Sequence, residues 1–593
     1  MRKTKIICTM GPAVRDIEIM KQLLRAGMNI ARFNFSHGDH AYHKENMDML
    51  REASRQTSIP VALLLDTKGP EIRTGMIKDD GKILLERGKR IILTTETVEG
   101  TVDLLGISYQ KLPHEVTPGK HIFIADGLVD LEVESVEGHE IHCIIRSGAE
   151  IGSHKNVNVV GVRTSLPAVT EKDIKDIMFG VENGMDFIAA SFVRKPSDIK
   201  EIRGIIDVCD VDIDIIAKVE DQEGLDNIDE IIRVSDGVMV ARGDLGVQIP
   251  SEEIPLVQKR IIRKCNIQNK PVIVATQMLD SMIENPTPTR AEITDVANAI
   301  LDGADAIMLS GETASGRFPV KTVEMMHKIA RNTEFSLEYK SRQRNCVQEP
   351  LKNNMADTMA RSAFFTARDI GANAILTPTL HGNTPKLISK YKPDQFILAV
   401  TPYEAVRRKL LLYWGVYPII SNITSDSDNL LTNAIDSGLE QGILHPFDKL
   451  VILAGIPVDS PIMLNTIRIH LIVNVLGKSL RGYGSQVSGR IVKVNDLKEA
   501  LQRISGDGTE ILLTKYLDEN WKPVLKLIKG YILEEFSSIS WNEIHRTNPE
   551  LVALAGAYKA TETLQDGQIV TLDGQEKLVL EGRAGLARSS RTI

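Results

Sequence analysis

The 593 residues include only five cysteines, Cys8, Cys143, Cys209, Cys265 and Cys346, far apart and never in a Cys-x-x-Cys pair. An odd, scattered set excludes a disulfide framework and a zinc ribbon, and it suits a reducing cytoplasm. Positive charge is also in short supply: 71 Lys and Arg against 79 Asp and Glu leave a net charge of -8. That excludes a general nucleic-acid binder, which needs a basic surface, while leaving room for one basic cleft. No window approaches the roughly 18 consecutive apolar residues of a membrane span. Met1-Arg2-Lys3-Thr4 runs straight into strand-like Ile6-Ile7-Cys8, without the apolar core of a signal peptide. There is no Walker loop, no Gly-x-Gly-x-x-Gly, no internal repeat, no low-complexity tract and no heptad run, so any nucleotide must be held by other means.

What is present is ordinary in amount, 42% hydrophobic and 25% charged, and alternating in arrangement. The length calls for roughly three to five domains. Apolar runs at 5–9, 28–33 and 61–65 predict three strands, with a helix over 16–24 closed by Ala26-Gly27. From about 71 to 158 helical periodicity fades, and β-rich runs at 82–85, 90–95, 121–124 and 140–145 alternate with turns such as Asp79-Asp80-Gly81. This predicts an all-β module inserted into an α/β domain. Strands then recur at 187–191, 214–219, 237–241, 272–276 and 305–309, with helices at 172–181, 225–232, 254–267 and 291–301 between them. Three strands before the insertion and five after it make eight, the number that closes a (β/α)8 barrel with its catalytic groups at the strands' C-terminal ends. A charged linker at 340–352 leads to a second, doubly wound α/β domain, with strands at 374–377, 396–400 and 450–454 and helices at 355–370, 384–391 and 404–413. The expected segments are 1–70 and 167–340 for the barrel, 71–166 for the β module and 341–473 for the second α/β domain. A small C-terminal α/β domain follows at 474–593, frayed from about 588.

The predicted strand ends collect polar residues. Arg32, Asn34 and Ser36 follow the second strand, and Asp66, Thr67 and Arg73 the third; Lys218, Glu220, Asp244, Thr276 and Glu312 follow later ones. Singly each has a plain explanation: a surface ion pair for Lys218 and Glu220, a helix cap for Asp244. Together at one end of one barrel, buried like charges call for a cation or an anionic ligand to join them. Two carboxylates without Cys or His are hard ligands suited to Mg²⁺ or Mn²⁺. Arg32, Arg73 and Lys218 supply a positive field for a phosphorylated or carboxylate substrate. Asn34, Ser36, Asp66 and Thr67 form an oxygen set suited to a monovalent cation. Helix starts at 243–246 and 310–313 add backbone donors. The chemistry this predicts is metal-dependent phosphoryl transfer on a small acid.

Nine segments carry a resemblance: TKIICTMGPA (4–13), RFNFSHG (32–38), LDTKGPEIRTG (65–75), LPAVTEKD (166–173), IAKVED (216–221), VARGDLGV (240–247), ATQMLDSM (275–282), PTRAEITDVANA (288–299) and MLSGETASGRFPV (308–320). Over roughly residues 1–470 the chain resembles pyruvate kinases, in particular the bacterial type with an extra C-terminal domain. The resemblance implies transfer of a phosphoryl group from phosphoenolpyruvate to ADP, giving pyruvate and ATP. It implies Mg²⁺ on Glu220 and Asp244, with Lys218 stabilising the transferring group. Arg32, Lys218, Gly243, Asp244 and Thr276 would bind substrate, Lys218, Thr276 and Arg32 being catalytic. K⁺ would sit on Asn34, Ser36, Asp66 and Thr67. The nucleotide would meet Asn34, Phe35, Ser36, His37, Arg73 and Lys155, beneath a closing β lid. Glu71 matches the K⁺-dependent members. A cytoplasmic homotetramer, with no nucleic-acid or membrane partner, completes the expectation.

The chain departs from the family pattern in three places. The lid hinge, residues 153–161, reads SHKNVNVVG where the family tends to have KGVNLPG. In the second α/β domain LHGNT (380–384) replaces a Ser-Gly-x-Thr loop, and VDSPIM (458–463) replaces a Gly-rich turn, a poorer phosphate nest for a sugar-phosphate effector. The last domain resembles a phosphohistidine-type domain through LQDGQIVTLD (564–573). Ser537-Ser538-Ile539 stands where Thr-Ser-His would be, so a structural or docking role is expected there and no phosphorelay. Two other classes of function compete: a Mg²⁺-dependent C–C lyase acting on pyruvate enolate, and a non-catalytic regulatory paralogue.

Overall fold

Eight short apolar runs become eight parallel strands, because a run with no polar interruption is buried on both faces only when covered from both sides. They are β1 (Lys5–Thr9), β2 (Ile30–Asn34), β3 (Ala62–Asp66), β4 (Phe187–Ala190), β5 (Asp214–Val219), β6 (Gly237–Ala241), β7 (Val272–Ala275) and β8 (Ala306–Leu309). They hydrogen-bond in sequence order and close into a barrel through β1 and β8, with Lys5 opposite Ala306 and Cys8 opposite Leu309. The computed structural model describes residues 1–339, 341, 354–421, 427–455 and 464–582. The expected linker (apart from Ser341), Cys346, the 458–463 turn and the frayed end from 588 lie outside the described residues.

The described chain falls into two compact units, Met1–Ile370 with Ala374–Ser437 and Ile452–Ile467, and Gly371–Asn373 with Gly438–Val451 and Arg468–Ile593. In the first, the inserted module is a seven-stranded sheet running from Ile72–Arg73 to Leu104–Gly106. Its longest strand, Val129–Glu137, leaves no continuous apolar run in the sequence. Val129, Leu131 and Val133 face the module's core, while Asp130, Glu132 and Glu134 alternate with them outward. The helix expected over 225–232 is two, Gln222–Asp226 and Ile228–Val234. Between them Asn227 leaves helical geometry, and its side chain donates to the Arg194 carbonyl at 2.8 Å. The second α/β sheet places Ala374–Pro378, Phe396–Thr401 and Val416–Ile420 side by side and parallel.

Aspartates stand at the entrances of the barrel strands. Asp186, Asp236 and Asp305 precede β4, β6 and β8, and each accepts a backbone N–H of a neighbouring strand, from Leu63, Ile215 and Val272 at 2.9, 2.8 and 3.0 Å. Cations beside the second α/β sheet meet this floor, Arg408 and Lys409 from the helix Glu404–Lys409 and Lys392 from the loop before Phe396–Thr401: Arg408 on Asp186, Lys409 on Asp214 and Lys392 on Asp305, at 2.9, 2.8 and 2.6 Å. Lys392 and Asp305 are 5% and 8% exposed, so removing one charge strands the other. Lys392→Met should destabilise the protein by about 3–5 kcal/mol, read as a shift in the urea midpoint, with Lys392→Arg losing much less.

Lys5 is buried in β1, with its ammonium donating to the Val416 carbonyl at 2.6 Å. Burial, then the neighbouring Arg2, lowers it to about 7. Between that value and about 10.5 the unfolded chain holds a proton that the folded chain has lost, so stability should rise with pH across this window. A thermal midpoint that climbs between pH 7 and 9.5 in wild type and stays flatter in Lys5→Met would report it.

The second unit has its own eight-stranded sheet, whose parallel middle is Gln486–Lys493, Glu510–Thr514, Gly530–Leu533 and Val552–Ala555. Val492 and Leu512 face one apolar layer, and Ile491, Ile511 and Leu513 the other, so both faces are covered. Ile539 is buried, whereas His545 lies exposed on the short helix Trp541–Thr547, its ring 5.8 Å from that of Trp541.

Among the described residues no helix is long and apolar enough to cross a membrane.

Candidate active site

The C-terminal end of β5 carries the centre of the site. In β5 the run Ile215, Ile216, Ala217 fixes the strand in the barrel wall, and Lys218 ends up 8% exposed with its ammonium at the mouth. Its Nζ lies 3.0 Å from Asp66 Oδ1, 2.9 Å from Glu220 Oε1 and 2.8 Å from Ser191 Oγ. Burial alone would lower the Lys218 ammonium; Asp66, then Glu220 and Asp244, outweigh it and hold the group well above its ordinary value. The lysine stays charged.

Asp66, at the end of β3, is completely buried. Its other oxygen takes Arg32 Nε at 2.5 Å, and Arg32 Nη1 donates to Thr9 Oγ1 at 2.9 Å. Burial would raise the Asp66 carboxyl, but Arg32 and Lys218 more than offset that and hold it below the usual carboxylate range. Two cations and one aspartate from three strands are thus locked together.

Glu220 is 2% exposed, and its Oε2 accepts the Phe192 amide at 2.7 Å. Burial pushes its carboxyl up against the pull of Lys218, and the neighbouring Asp244 adds to the push. Asp244, on the helix Arg242–Gln248 after β6, is half-buried and lines a cleft of about 280 Å³. Asn156, Asn158 and Arg163 of the β module border that cleft together with Phe192 and Arg194 of the barrel. Among the described residues no cluster of three or more His, Cys, Asp or Glu is arranged to hold a metal. A pair of hard carboxylates, Glu220 raised by burial and Asp244 lining the cleft, suits Mg²⁺, which takes one or two carboxylates and completes its shell with water and substrate oxygens.

On the next strand end, Thr276 has a left-handed backbone (φ 67°), uncommon outside glycine. Its Oγ1 accepts the Gly243 amide at 2.8 Å and donates to the Ala275 carbonyl at 2.6 Å. Arg242 props this turn: it donates to the Thr276 carbonyl at 2.7 Å while pairing with Asp295. Gly243 and Thr276 are therefore adjacent, as one small-anion site would require.

The other expected residues distribute unevenly. Asn34 Oδ1 accepts the Ser36 amide at 3.1 Å, and Thr67 lies against Ser191, so the four oxygen-bearing residues stand on adjacent strand ends. A carboxylate has about four lone-pair sites, so Asp66 keeps acceptor capacity beside Arg32 and Lys218, and this set suits K⁺. The Phe35 ring turns inward: it is 1% exposed and stacks on His43 at 4.1 Å, while its amide donates to the Asp66 carbonyl at 3.0 Å and its carbonyl accepts Lys172 at 2.8 Å. His37 is exposed. Arg73 is held by Glu71 at 2.6 Å and by the His154 carbonyl at 2.9 Å. The Lys155 amide donates to Thr74 Oγ1 and its carbonyl accepts the Thr74 amide, both at 2.8 Å, and the residue is exposed. Glu312 is structural, accepting the Ser310 and Leu279 amides at 2.6 and 3.1 Å.

Ser191, Phe192 and Arg194 were missed from sequence. They follow β4 directly, at the same C-terminal end of the barrel as Asp66 and Lys218, but Ser191 and Phe192 bear no charge to mark them.

A closed parallel barrel with lysine, arginine and paired carboxylates at its C-terminal mouth, under an inserted β module, defines an α/β-barrel enzyme that handles anions. A family model described as pyruvate kinase, barrel domain, matches residues 1–323, and one described as pyruvate kinase, alpha/beta domain, matches residues 357–470. The chain belongs to the pyruvate kinase family, whose members are phosphotransferases. It is 45% identical to the pyruvate kinase of Sporosarcina psychrophila over 590 residues, 99% of this chain and all of that one. Against the pyruvate kinase of Geobacillus stearothermophilus it is 44% identical over 589 residues, with the same coverage. A crystal structure of a pyruvate kinase from Cryptosporidium parvum superposes with a TM-score of 0.76 at 39% identity, covering 79% of this chain and 96% of that one.

Proposed function

We propose that this protein transfers the phosphoryl group of phosphoenolpyruvate to ADP in the last step of glycolysis, using Mg²⁺ (or Mn²⁺) and K⁺. The observation that carries the reading is the Lys218 ammonium, buried yet charged, beside Arg32 and Glu220 at the barrel mouth. Phosphoryl transfer needs positioning and positive charge around the moving group more than covalent help. A terminal phosphate oxygen of ADP forms the new P–O bond as the bond from phosphorus to the enol oxygen breaks, and the enolate left behind takes up a proton at its methylene carbon to give pyruvate. Lys218 and Arg32 stabilise charge on the phosphoryl oxygens as this happens. The Gly243–Thr276 turn orients the carboxylate end of the substrate, and Asp244 borders the same site. Asn34, Ser36, His37, Arg73, Lys155 and the Phe35 backbone face the nucleotide, and the β module closes to exclude water.

Glu220 and Asp244 would hold the divalent ion, and Asn34, Ser36, Asp66 and Thr67 the K⁺. Bound Mg²⁺ supplies Lewis-acid polarisation of phosphoryl oxygens. The reading includes a homotetramer in the cytoplasm. Lactate-dehydrogenase-coupled formation of pyruvate from phosphoenolpyruvate and ADP tests it, with a rate expected to fall severalfold or more when Na⁺ replaces K⁺. No pyruvate formation under any cation condition would overturn it.

A further inference from the structure

Lys218 offers three N–H donors, and all three are engaged: Asp66 at 3.0 Å, Glu220 at 2.9 Å and Ser191 at 2.8 Å. Two of these acceptors are carboxylates, and only Ser191 is neutral. A carboxylate pulls the ammonium toward itself, and two of them on different strands pull in different directions. A hydroxyl fixes its position without adding charge. Ser191 is itself rigidly placed. It is 5% exposed, its amide donates to Thr67 Oγ1 at 3.1 Å and its Oγ lies 2.7 Å from the Thr67 carbonyl. Oγ also lies 3.3 Å from Asp66 Oδ1; with its proton on the nearer Thr67 carbonyl, it accepts from Lys218. The following residue, Phe192, sits in the left-handed region (φ 54°), which turns its amide onto Glu220 Oε2 at 2.7 Å. The Ser191–Phe192 turn thus holds both the ammonium and the carboxylate that β5 presents.

We infer that Ser191 is a positioning residue for phosphoryl transfer, aiming the Lys218 ammonium at the transferring group; this rests on the phosphotransfer reading above. When a phosphoryl oxygen takes one of the lysine's donors, the neutral hydroxyl is the anchor that does not compete with it for charge. Misplacing the clamp by about 1 Å is enough to cost on the order of 10²-fold in rate.

Ser191→Ala should retain the wild-type thermal midpoint within a few degrees. It should lower kcat roughly ten- to hundredfold with the KM for phosphoenolpyruvate changed less than about threefold, because the interaction counts in the transition state. Ser191→Thr, which restores the hydroxyl, should recover most of the loss. In a Lys218→Met background the serine exchange should change the residual rate by less than about twofold, since its effect passes through the lysine. A crystal structure of Ser191→Ala should show Nζ displaced toward a carboxylate. Undiminished loss in the Lys218→Met background, or an effect confined to the K⁺ activation constant, would overturn the inference and leave Ser191 as a support for Thr67. An active wild type with a fully active Ser191→Ala sinks only this inference; an inactive wild type sinks the phosphotransfer reading itself.

Discussion

Lys218→Met should lower kcat by about 10³-fold or more while the barrel stays folded. The loss is large because the ammonium is buried and held charged, so its field acts on the phosphoryl group with little water between. Methionine keeps the length and the apolar stem but removes the charge. The fold survives for a local reason. Asp66 still pairs with Arg32 at 2.5 Å, and Glu220 still accepts the Phe192 amide and can neutralise itself by taking up a proton. Steady-state kinetics in the coupled assay, with circular dichroism as the folding control, check both halves. Near-wild-type turnover would remove Lys218 from the mechanism. A lost circular dichroism transition would mean the triad of Lys218, Asp66 and Glu220 is structural.

Glu220→Gln is expected to cost nearly as much, by a different route. The amide oxygen can keep the Phe192 hydrogen bond, so the turn should hold, but the site then presents a single carboxylate, Asp244. Changing partners one shell out from a metal already costs about 10–100-fold in affinity, so losing a direct ligand should weaken divalent binding by at least about a hundredfold. Mn²⁺ titration followed by electron paramagnetic resonance reads this without reference to turnover. The Mg²⁺ activation constant should move in parallel. Unchanged Mn²⁺ affinity would place the divalent ion elsewhere.

Much of this is legible in the sequence alone. Eight apolar runs in βα alternation pointed to eight parallel strands covered on both sides, the number that suits a barrel, while the β1–β8 pairing that closes it is a tertiary fact. The centre of the site followed from charge that no core tolerates alone: Lys218 and Glu220 ending one strand, Asp66 another, Arg32 a third. The strand Val129–Glu137 was not legible as an apolar run because its core residues alternate with acids. The helix break at Asn227 depends on a hydrogen bond to Arg194, 33 positions away. Ser191 escaped notice because a single hydroxyl carries no charge to demand a partner.

Returning to the chain as a string, sequence by itself determined which residues must be buried, which strands must be parallel, and that a cation and two carboxylates would stand at one end of the barrel. Period and charge are local properties, and they are written in neighbouring letters. Only the tertiary structure decided that Asp66, 152 positions from Lys218, shares its ammonium with Ser191, and that the Phe35 ring turns into the core while Ser36 and His37 do not. Those outcomes depend on strand register and on which way a loop turns after its strand. Both are settled by packing across the barrel, where residues far apart in the chain first meet.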